Sequence, residues 1–457
     1  MPSPINRRTF LGSAATAGAL AVVPRAVLGG AGHVAPSEKA TLAHIGMGTQ
    51  GIREFGGLLE DPHLQIVAVC DPNADSSNYV EWGKGGIRRR IRTYLGDPTW
   101  REGDDGCPGG REVGRLIVDT YYARQRGKET YKACAAYADF RELLDKEKDV
   151  DAVKIMTPDH QHATLALAAM KKGKHVVMHK PVANRLHEGR RVMETARETK
   201  VATHLLAWGS GADNGRIVPR IKEGVIGRLR EIHNWTNRPV WPQYTELPTD
   251  RPPVPKGFQW DLWLGPCLDR PYHPHYTHTV YRGWYDFGGG SMADMGIYSL
   301  WPVFTGLDLP SPASAQAWAT HTCTIEDHVS RPKKNDFAYP TATMQRFHFE
   351  AEGDRPEVDL FWYDGGMKPR LPDYMEAQDV TMGREGILFV GDDGAILAGF
   401  RGRGPHVFAK GKKEALKLAG GEGRGGSWHE AIRGGDRSPG DFLRAAAITD
   451  AVNLGTV

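Results

Sequence analysis

The chain contains 457 residues, of which 25% are charged and 40% are hydrophobic, and its formal net charge is +3. This length predicts two or three domains with large cores, and the composition excludes a disordered, collagen-like or disulfide-stapled protein. Arg7, Arg8 and Arg25 account for the whole net charge, so no general basic field points to a nucleic-acid partner. No apolar run reaches the ~20 residues that a membrane-spanning helix needs.

Residues 1–35 have the pattern of an export signal. Arg7 and Arg8 are followed by an uncharged stretch of small and apolar residues from Gly12 to Val23. A basic head followed by ~7–15 apolar residues is typical of a secretory signal, and adjacent arginines favour the twin-arginine route. We therefore expect a periplasmic protein, cleaved among residues 31–35. The alternative interpretation is a disordered basic N-terminus.

A glycine motif follows the first predicted strand, Thr41–Ile45. It reads Gly46-Met47-Gly48-Thr49-Gln50-Gly51 and leads into a predicted helix over Ile52–Leu59. In a GxGxxG loop one glycine permits the turn, one lets the backbone approach a pyrophosphate, and one packs the helix on the strand. The helix N-terminus offers N–H groups and a partial positive charge to that pyrophosphate. The motif alone is a weak signal in a chain with 55 glycines.

An acidic residue strengthens this interpretation. Gln65–Cys70 is an apolar, β-branched run, and Asp71 follows it 20 residues after Gly51. A carboxylate at this spacing reaches the hydroxyls of an adenosine ribose. It would repel a 2′-phosphate, so the sequence favours NAD over NADP. The alternative is that Asp71 begins an ordinary turn with Pro72.

Two further predicted strands end in polar clusters. Val150–Ile155 leads into Thr157-Pro158-Asp159-His160-Gln161-His162, and Gly173–Met178 leads into His179-Lys180-Pro181. Strands that alternate with helices form a parallel sheet, which binds its ligands at the carboxyl ends of the strands. We therefore predict a Rossmann dinucleotide-binding domain over residues 40–200.

More chain lies between Asp71 and Phe140 than one crossover helix needs. We expect an inserted loop, in which the arginine-rich stretch 88–92 is a solvated surface. Cys107 and Cys134 could pair in an oxidising compartment, and the sequence leaves this open.

The second half has a strand-rich pattern. Its alternating runs are Leu229–Trp235, Ser314–Trp318, Ala342–Phe349, Glu357–Trp362 and Gly386–Val390. They predict an α+β domain over residues 205–425 with a large, open and mostly antiparallel sheet that supports the substrate or a second subunit. Residues 426–457 are predicted to form C-terminal helices that pack back on the first domain.

Taken in order, these features resemble the Gfo/Idh/MocA oxidoreductase family over roughly residues 40–457. The family's Glu-Lys-Pro motif reads His179-Lys180-Pro181 here, and its aspartate followed four residues later by His or Tyr corresponds to Asp294 and Tyr298. The resemblance implies a carbohydrate substrate and a catalytic group of Lys180, Asp294 and Tyr298. We also expect a homo-oligomer, either a dimer or a tetramer. The predicted cofactor contacts are Gly46, Met47, Gly48, Thr49, Gln50, Gly51, Asp71, Thr157, Pro158, Asp159, His162, His179 and Lys180.

The chemistry of the implied catalytic group follows from the reaction. Oxidation of a secondary alcohol removes a hydride from carbon and a proton from oxygen, and the proton needs a base. We expect the Lys180 ammonium to lower the pKa of the Tyr298 phenol, while Asp294 orients or neutralises one of the two. Otherwise Asp294 is an acid near a helix N-cap and Tyr298 is a packing residue.

Two histidines have open interpretations. His179 either contacts cofactor or substrate in place of the family's glutamate, or it marks a variant whose dehydrogenase step is altered or lost. His162 either lies near the nicotinamide side of the cleft or is a helix-start histidine bonded to the backbone.

The stretch 235–285 is rich in aromatic residues, most of which we expect in the core or at a subunit interface. Arg282 and Trp284 lie nearest the Gly288–Tyr298 motif and are the predicted substrate contacts. His273, His275 and His278 have no standard ligand spacing, so no metal is predicted.

The sequence supports three hypotheses about function. The first is an exported NAD-dependent oxidoreductase that acts on a secondary hydroxyl of a sugar, polyol or glycoside and retains its cofactor. The second is an NAD-dependent glycosidase that works by transient oxidation and elimination, without net accumulation of NADH. The third is a non-catalytic sugar-binding protein, motivated by the missing glutamate before Lys180.

Overall fold

The structure, a computed structural model, describes residues 34–132, 134–207, 213–378, 380–409, 412–418 and 428–456. The predicted export signal lies outside these residues apart from positions 34 and 35, and so does the glycine-rich segment 420–426. None of the helices described is both long enough and apolar enough to span a bilayer.

The first half of the chain forms a six-stranded, fully parallel sheet of order β5-β2-β1-β6-β7-β8. The central strands are nearly continuous apolar runs because helices cover both faces of such a sheet. The carboxyl ends of β1, β6 and β7 therefore lie side by side. The strands are β1 (Ala40–Ile45), β2 (Leu64–Cys70), β3 (Ser76–Tyr79), β4 (Cys107–Gly109), β5 (Ala135–Tyr137), β6 (Ala152–Ile155), β7 (His175–Met178) and β8 (Thr203–Leu205).

Helices connect these strands. They are α1 (Thr49–Leu59), α2 (Gly86–Leu95), α3 (Arg111–Gln125), α4 (Phe140–Lys146), α5 (Asp159–Lys171) and α6 (Leu186–Thr199). The insertion after β2 is more ordered than the sequence predicts: β3 and β4 pair as antiparallel strands, and the arginine-rich stretch 88–92 lies in α2. Ile87 and Ile91 are buried on the inner face of α2, which places its arginines outside, as an amphipathic helix requires.

The second half forms an eight-stranded sheet of order β10-β13-β14-β9-β15-β16-β17-β18, in which only β14 and β9 are parallel neighbours. A separate hairpin pairs β11 with β12. The predicted fold class is therefore confirmed. The strands are β9 (Leu229–Trp235), β10 (Ser314–Ala319), β11 (Thr322–Glu326), β12 (Val329–Lys333), β13 (Thr343–Phe349), β14 (Val358–Tyr363), β15 (Gly386–Gly391), β16 (Gly394–Gly399), β17 (His406–Ala409) and β18 (Lys412–Ala415).

The helices of this half are α7 (Asn214–Lys222), α8 (Trp260–Leu264), α9 (Ile297–Gly306), α10 (Asp373–Glu376), α11 (Trp428–Ile432) and α12 (Ala446–Leu454). Short 3₁₀ turns occupy Pro36–Glu38, Pro274–Tyr276, His278–Gly283, Phe400–Gly402 and Phe442–Ala445, and a π turn occupies Met292–Gly296. α12 packs against both α6 and α9, and Arg190 on α6 pairs with Asp450 on α12 at 3.1 Å.

One apolar core is continuous between the two domains. It runs from Val153 in the first sheet through Trp301 and Phe304 on α9 to Phe347 and Ile387 in the second sheet. Because close-packed interiors transmit position rigidly, this shared core fixes the second domain against the carboxyl edge of the parallel sheet.

Candidate active site

A cavity of about 590 Å³ lies between the two domains at the carboxyl edge of the parallel sheet, within the ~300–1,000 Å³ usual for small-molecule and cofactor sites. The first domain contributes the glycine loop, Asp71 and the residues that follow β6 and β7. The second domain contributes Tyr281, Arg282, Asp294 and Tyr298. One cavity thus contains both the predicted nucleotide contacts and the predicted catalytic group.

The glycine loop has the local geometry that a dinucleotide needs. Gly46 adopts φ +98°, and a Cβ there would lie 2.5 Å from the Met156 carbonyl oxygen, so only glycine fits. A Cβ at Gly51 would collide with the Gly46 carbonyl oxygen, so this glycine lets α1 pack close to β1. The N-terminus of α1 begins at Thr49 in the cavity wall, and Arg53 one turn later adds a positive charge.

Asp71 links the glycine loop to the end of β2. Its carboxylate accepts hydrogen bonds from the Met47 N–H (2.7 Å) and the Asn73 N–H (2.8 Å), and it lines the cavity. Burial raises its pKa to about 6 despite these bonds. A loop of N–H groups, a helix N-terminus and a facing carboxylate fit the pyrophosphate and ribose of a dinucleotide.

Thr157 and Pro158 line the cavity, whereas Asp159 and His162 lie behind its wall. His162 is fully buried, with its ring nitrogens 2.6 Å from the Pro181 carbonyl oxygen and 3.0 Å from the Thr157 carbonyl oxygen. It therefore joins the turns after β6 and β7, as the backbone-bonded alternative expects.

Asp159 also holds two segments together. It accepts hydrogen bonds from the Tyr281 hydroxyl (2.9 Å) and the Gly289 N–H (3.0 Å). The interpretation of Asp159 as a direct cofactor contact therefore needs correction, because both carboxylate oxygens face the second domain. The predicted contact of Met47 with the cofactor also needs correction. Its side chain is buried against Gly114, its N–H donates to Asp71, and its carbonyl oxygen accepts from the Gly110 N–H.

The three implied catalytic residues come together from both domains. Lys180 follows β7, Asp294 lies in the π turn, and Tyr298 begins the following helix. The Lys180 Nζ donates to Asp294 Oδ1 at 2.5 Å although 114 residues separate the two, and it lies 5.2 Å from the centre of the Tyr298 ring. Arg282 Nε lies 3.3 Å from the same Asp294 oxygen, so two cations share one carboxylate.

The electrostatics of this group correct one expectation. Burial raises the pKa of Tyr298 well above its ordinary value, and the Asp294 carboxylate raises it further. The Lys180 ammonium does not offset this rise: it lies 5.2 Å from the centre of the Tyr298 ring and is bonded to Asp294. Burial, reinforced by Arg282, lowers the pKa of Lys180, although Asp294 opposes the shift. Lys180 is therefore the better proton acceptor, and Tyr298 remains a proton donor.

A buried charge network that sequence reasoning missed lies behind His179. The His179 Nε2 lies 3.9 Å from Glu54 Oε1, and Lys154 Nζ donates to Glu54 Oε2 at 2.9 Å. Burial and the neighbouring Lys180 lower the pKa of His179 to about 3, so the imidazole is neutral. The sequence did contain a signal for this network, because Lys154 is the one charged residue in the otherwise apolar strand β6. In the structure Lys154 is 3% exposed.

The two predicted substrate contacts have different positions. Arg282 lines the cavity, but Trp284 is 1% exposed in the aromatic core, where it stacks on Tyr244 at 4.6 Å and donates to the His275 carbonyl oxygen. We therefore correct Trp284 to a packing residue, because its ring faces other aromatic side chains.

Two other features of the described residues concern the cysteines and the metal-ligating side chains. Cys107 and Cys134 are separate free thiols, so the possible bridge between them is not formed. Within the part of the chain that the structure describes, no three metal-ligating side chains gather at one place.

Comparison with known proteins identifies two matching models of one family. The NAD-binding Rossmann-fold model of the Gfo/Idh/MocA oxidoreductase family matches residues 110–206, and its C-terminal α/β-domain model matches residues 226–343. The match to an NAD-binding model agrees with the loop geometry and confirms the predicted cofactor, NAD.

Two curated relatives cover shorter stretches. Levoglucosan dehydrogenase of Pseudarthrobacter phenanthrenivorans is 32% identical over 112 residues, which are 23% of this chain and 28% of that protein. A glycosyl hydrolase family 109 protein of Saccharopolyspora erythraea is 26% identical over 243 residues, which are 50% of this chain and 44% of that protein. Each match thus spans less than half of the relative's length.

A solved structure has the same overall fold. The WlbA dehydrogenase of Chromobacterium violaceum, in complex with NADH and UDP-GlcNAcA, superposes with a TM-score of 0.51 over 91% of this chain and 94% of its own. The two chains are 13% identical, so the likeness concerns the fold alone.

Proposed function

The chain belongs to the Gfo/Idh/MocA oxidoreductase family, and from this premise we propose that it is an exported NAD-dependent oxidoreductase acting on a secondary hydroxyl of a sugar, polyol or glycoside. One observation carries the proposal. The Lys180–Asp294 pair, which joins the two domains, lies in the same cavity as the glycine loop and Asp71.

In the proposed reaction the protein's side chains accept and transfer the proton of the substrate hydroxyl. When bound, NAD supplies the acceptor for the hydride that leaves the substrate carbon. Lys180, whose pKa is lowered by burial, accepts the hydroxyl proton in its amine form. Asp294, which also pairs with Arg282, holds the Lys180 nitrogen in place, and the protonated Tyr298 donates a hydrogen bond to the substrate oxygen.

Export would place a constraint on the cofactor. Free nucleotide is scarce outside the cytoplasm, so NADH that left the protein could not readily be reoxidised there. We therefore include in the proposal that the cofactor stays bound and is reoxidised by a second carbohydrate or by the oxidised product itself. The N-terminal arginine pair motivates the twin-arginine route, which carries folded proteins.

The test begins with protein purified without added nucleotide. We expect co-purified NAD(H), and a change in its near-ultraviolet absorbance when a reactive member of a sugar, polyol and glycoside panel is added. Lys180→Met should keep the nucleotide and lose turnover. Lys180→Arg is the matched variant, because it preserves a cation beside Asp294 that cannot release its proton at neutral pH. Wild-type turnover in Lys180→Arg would refute the assigned base.

A second candidate is an NAD-dependent glycosidase, favoured by the match to a glycosyl hydrolase family 109 protein over half of this chain. A transient keto group would acidify the neighbouring C–H and permit elimination of the leaving group. Release of a free aglycone with no net change in the NAD(H) ratio would select this reaction. Oxidation of one carbohydrate coupled to reduction of another would select the first.

A further inference from the structure

Residues 72–82 follow β2, contribute Pro72, Tyr79 and Trp82 to the lining of the cavity, and touch both domains. We name them the 72–82 strap. At its first end, the Ala74 N–H donates to the Gly257 carbonyl oxygen at 2.9 Å, and the Gln259 N–H donates to the Pro72 carbonyl oxygen at 3.1 Å. These bonds attach the strap to the segment of the second domain that precedes α8.

The middle of the strap lies over the glycine loop. A Cβ on Gly48 would lie 3.0 Å from Cε1 of Tyr79, and the Tyr79 hydroxyl lies 3.4 Å from Asp71 Oδ1. The Tyr79 ring also contacts His278 of the second domain, with ring centres 4.2 Å apart. Tyr79 is therefore enclosed between the predicted pyrophosphate and ribose contacts and the second domain.

The far end of the strap also contacts both domains. The Val80 carbonyl oxygen accepts a hydrogen bond from the Thr49 hydroxyl at 2.7 Å and another from the Thr279 hydroxyl at 3.4 Å. Trp82 is 48% exposed at the cavity mouth, with the Arg238 guanidinium 5.6 Å from its ring centre. Both domains thus hold the strap along its length.

We propose that the 72–82 strap is the outer wall of the dinucleotide site and slows the release of NAD between turnovers, an inference that rests on the proposed function because that function needs a retained cofactor. A pyrophosphate beside Gly48 and a ribose on Asp71 would lie beneath Tyr79. Sideways exit then requires the strap to separate from the second domain. The free energy of that local opening adds to the barrier for dissociation, so the nucleotide leaves more slowly.

A purely structural role predicts something else. If the strap only docked one domain on the other, weakening it would lower stability and leave nucleotide release unchanged. The contacts of Trp82 and His278 distinguish the two roles because both side chains line the cavity.

The test uses three variants of the full chain. Trp82→Ala removes the outer contact with Arg238. His278→Asn removes the ring that contacts Tyr79. His278 adopts φ +55°, where asparagine is among the better tolerated residues. Trp318→Ala is the matched control, because Trp318 is 47% exposed on β10, at the edge of the other sheet.

Each protein is loaded with NADH and mixed with excess NAD, and the decay of bound-NADH fluorescence gives the release rate; thermal unfolding is measured in parallel. We expect release about 3- to 10-fold faster in Trp82→Ala and His278→Asn and unchanged in Trp318→Ala, from the usual strength of aromatic and cation–π contacts. Equal release rates in wild type and both strap variants would overturn the strap and leave the proposed function intact. Faster release in both strap variants, with no carbohydrate-dependent change in the redox state of the wild-type cofactor, would support the strap and overturn the proposed function.

Discussion

Replacing Asp294 with Asn tests the buried ion pair at the centre of the site. Asn preserves the shape of the side chain and removes its charge. The side chains of Lys180 and Asp294 are only 2% and 11% exposed, and their charged atoms lie 2.5 Å apart. In the variant, Lys180 keeps its buried position without the carboxylate that compensates its charge.

The expected size of the effect follows from burial. Removing one partner of a buried ion pair costs about 3–5 kcal/mol because it leaves an uncompensated charge. We expect the free energy of unfolding to fall by about 3 kcal/mol at pH 6, a loss that a domain with ~5–15 kcal/mol can survive. Burial already lowers the pKa of Lys180, and losing Asp294 lowers it further. Between the lower folded pKa of Lys180 in the variant and its higher folded pKa in the wild type, the folded variant binds fewer protons than the folded wild type. The stability deficit therefore shrinks as pH rises through that window, from pH 6 towards pH 9.

The assay is urea unfolding of wild type and Asp294→Asn at pH 6 and pH 9. Asp392→Asn is the control, because its pair with Arg230 is exposed by 45% and 46% and such surface pairs contribute about 0–1 kcal/mol. Equal losses in the two variants, or a deficit that grows between pH 6 and pH 9, would show that Asp294 does not compensate a buried charge on Lys180.

Two further outcomes test individual residues. Tyr298→Phe should lower kcat about 10- to 100-fold, the effect of one lost hydrogen bond to developing charge, and leave the NAD(H) content unchanged; an unaltered kcat would remove Tyr298 from the reaction. The affinity for NADH should weaken as pH falls from 7 to 5, because Asp71, with a pKa of about 6, becomes protonated and loses its charged acceptor. In Asp71→Asn that titration should disappear, and an identical pH profile in the variant would contradict the ribose role.

Local sequence signals were sufficient for the glycine loop and Asp71 of the first domain, but not for its insertion, in which β3, β4 and α2 form. Gly46 and Gly51 lie in one six-residue motif whose backbone geometry requires glycine, and Asp71 follows at the spacing of 20 residues that the motif predicts. Five strands of the second sheet, β9, β10, β13, β14 and β15, were also predicted, because burial alternates along strands such as β13. The strands β16, β17 and β18 were not predicted.

Long-range relations were not predictable in the same way. Family resemblance, rather than any local pattern, paired Lys180 with Asp294 across 114 residues. The pKa of Tyr298 was expected to fall because proximity to an ammonium is easily inferred, whereas orientation over the ring and the nearby carboxylate require coordinates. Glu54 lies on α1 and His179 follows β7, so no spacing along the sequence indicates that the two side chains meet.

The most direct measurement is a crystal structure of the protein grown with NAD and a carbohydrate that alters the bound cofactor's absorbance. We expect density for the dinucleotide along Gly46–Gln50 and Asp71, with the reacting hydroxyl within hydrogen-bond distance of the Lys180 nitrogen. A carbohydrate bound with its reacting hydroxyl remote from Lys180, or a nucleotide bound elsewhere on the protein, would contradict this expectation.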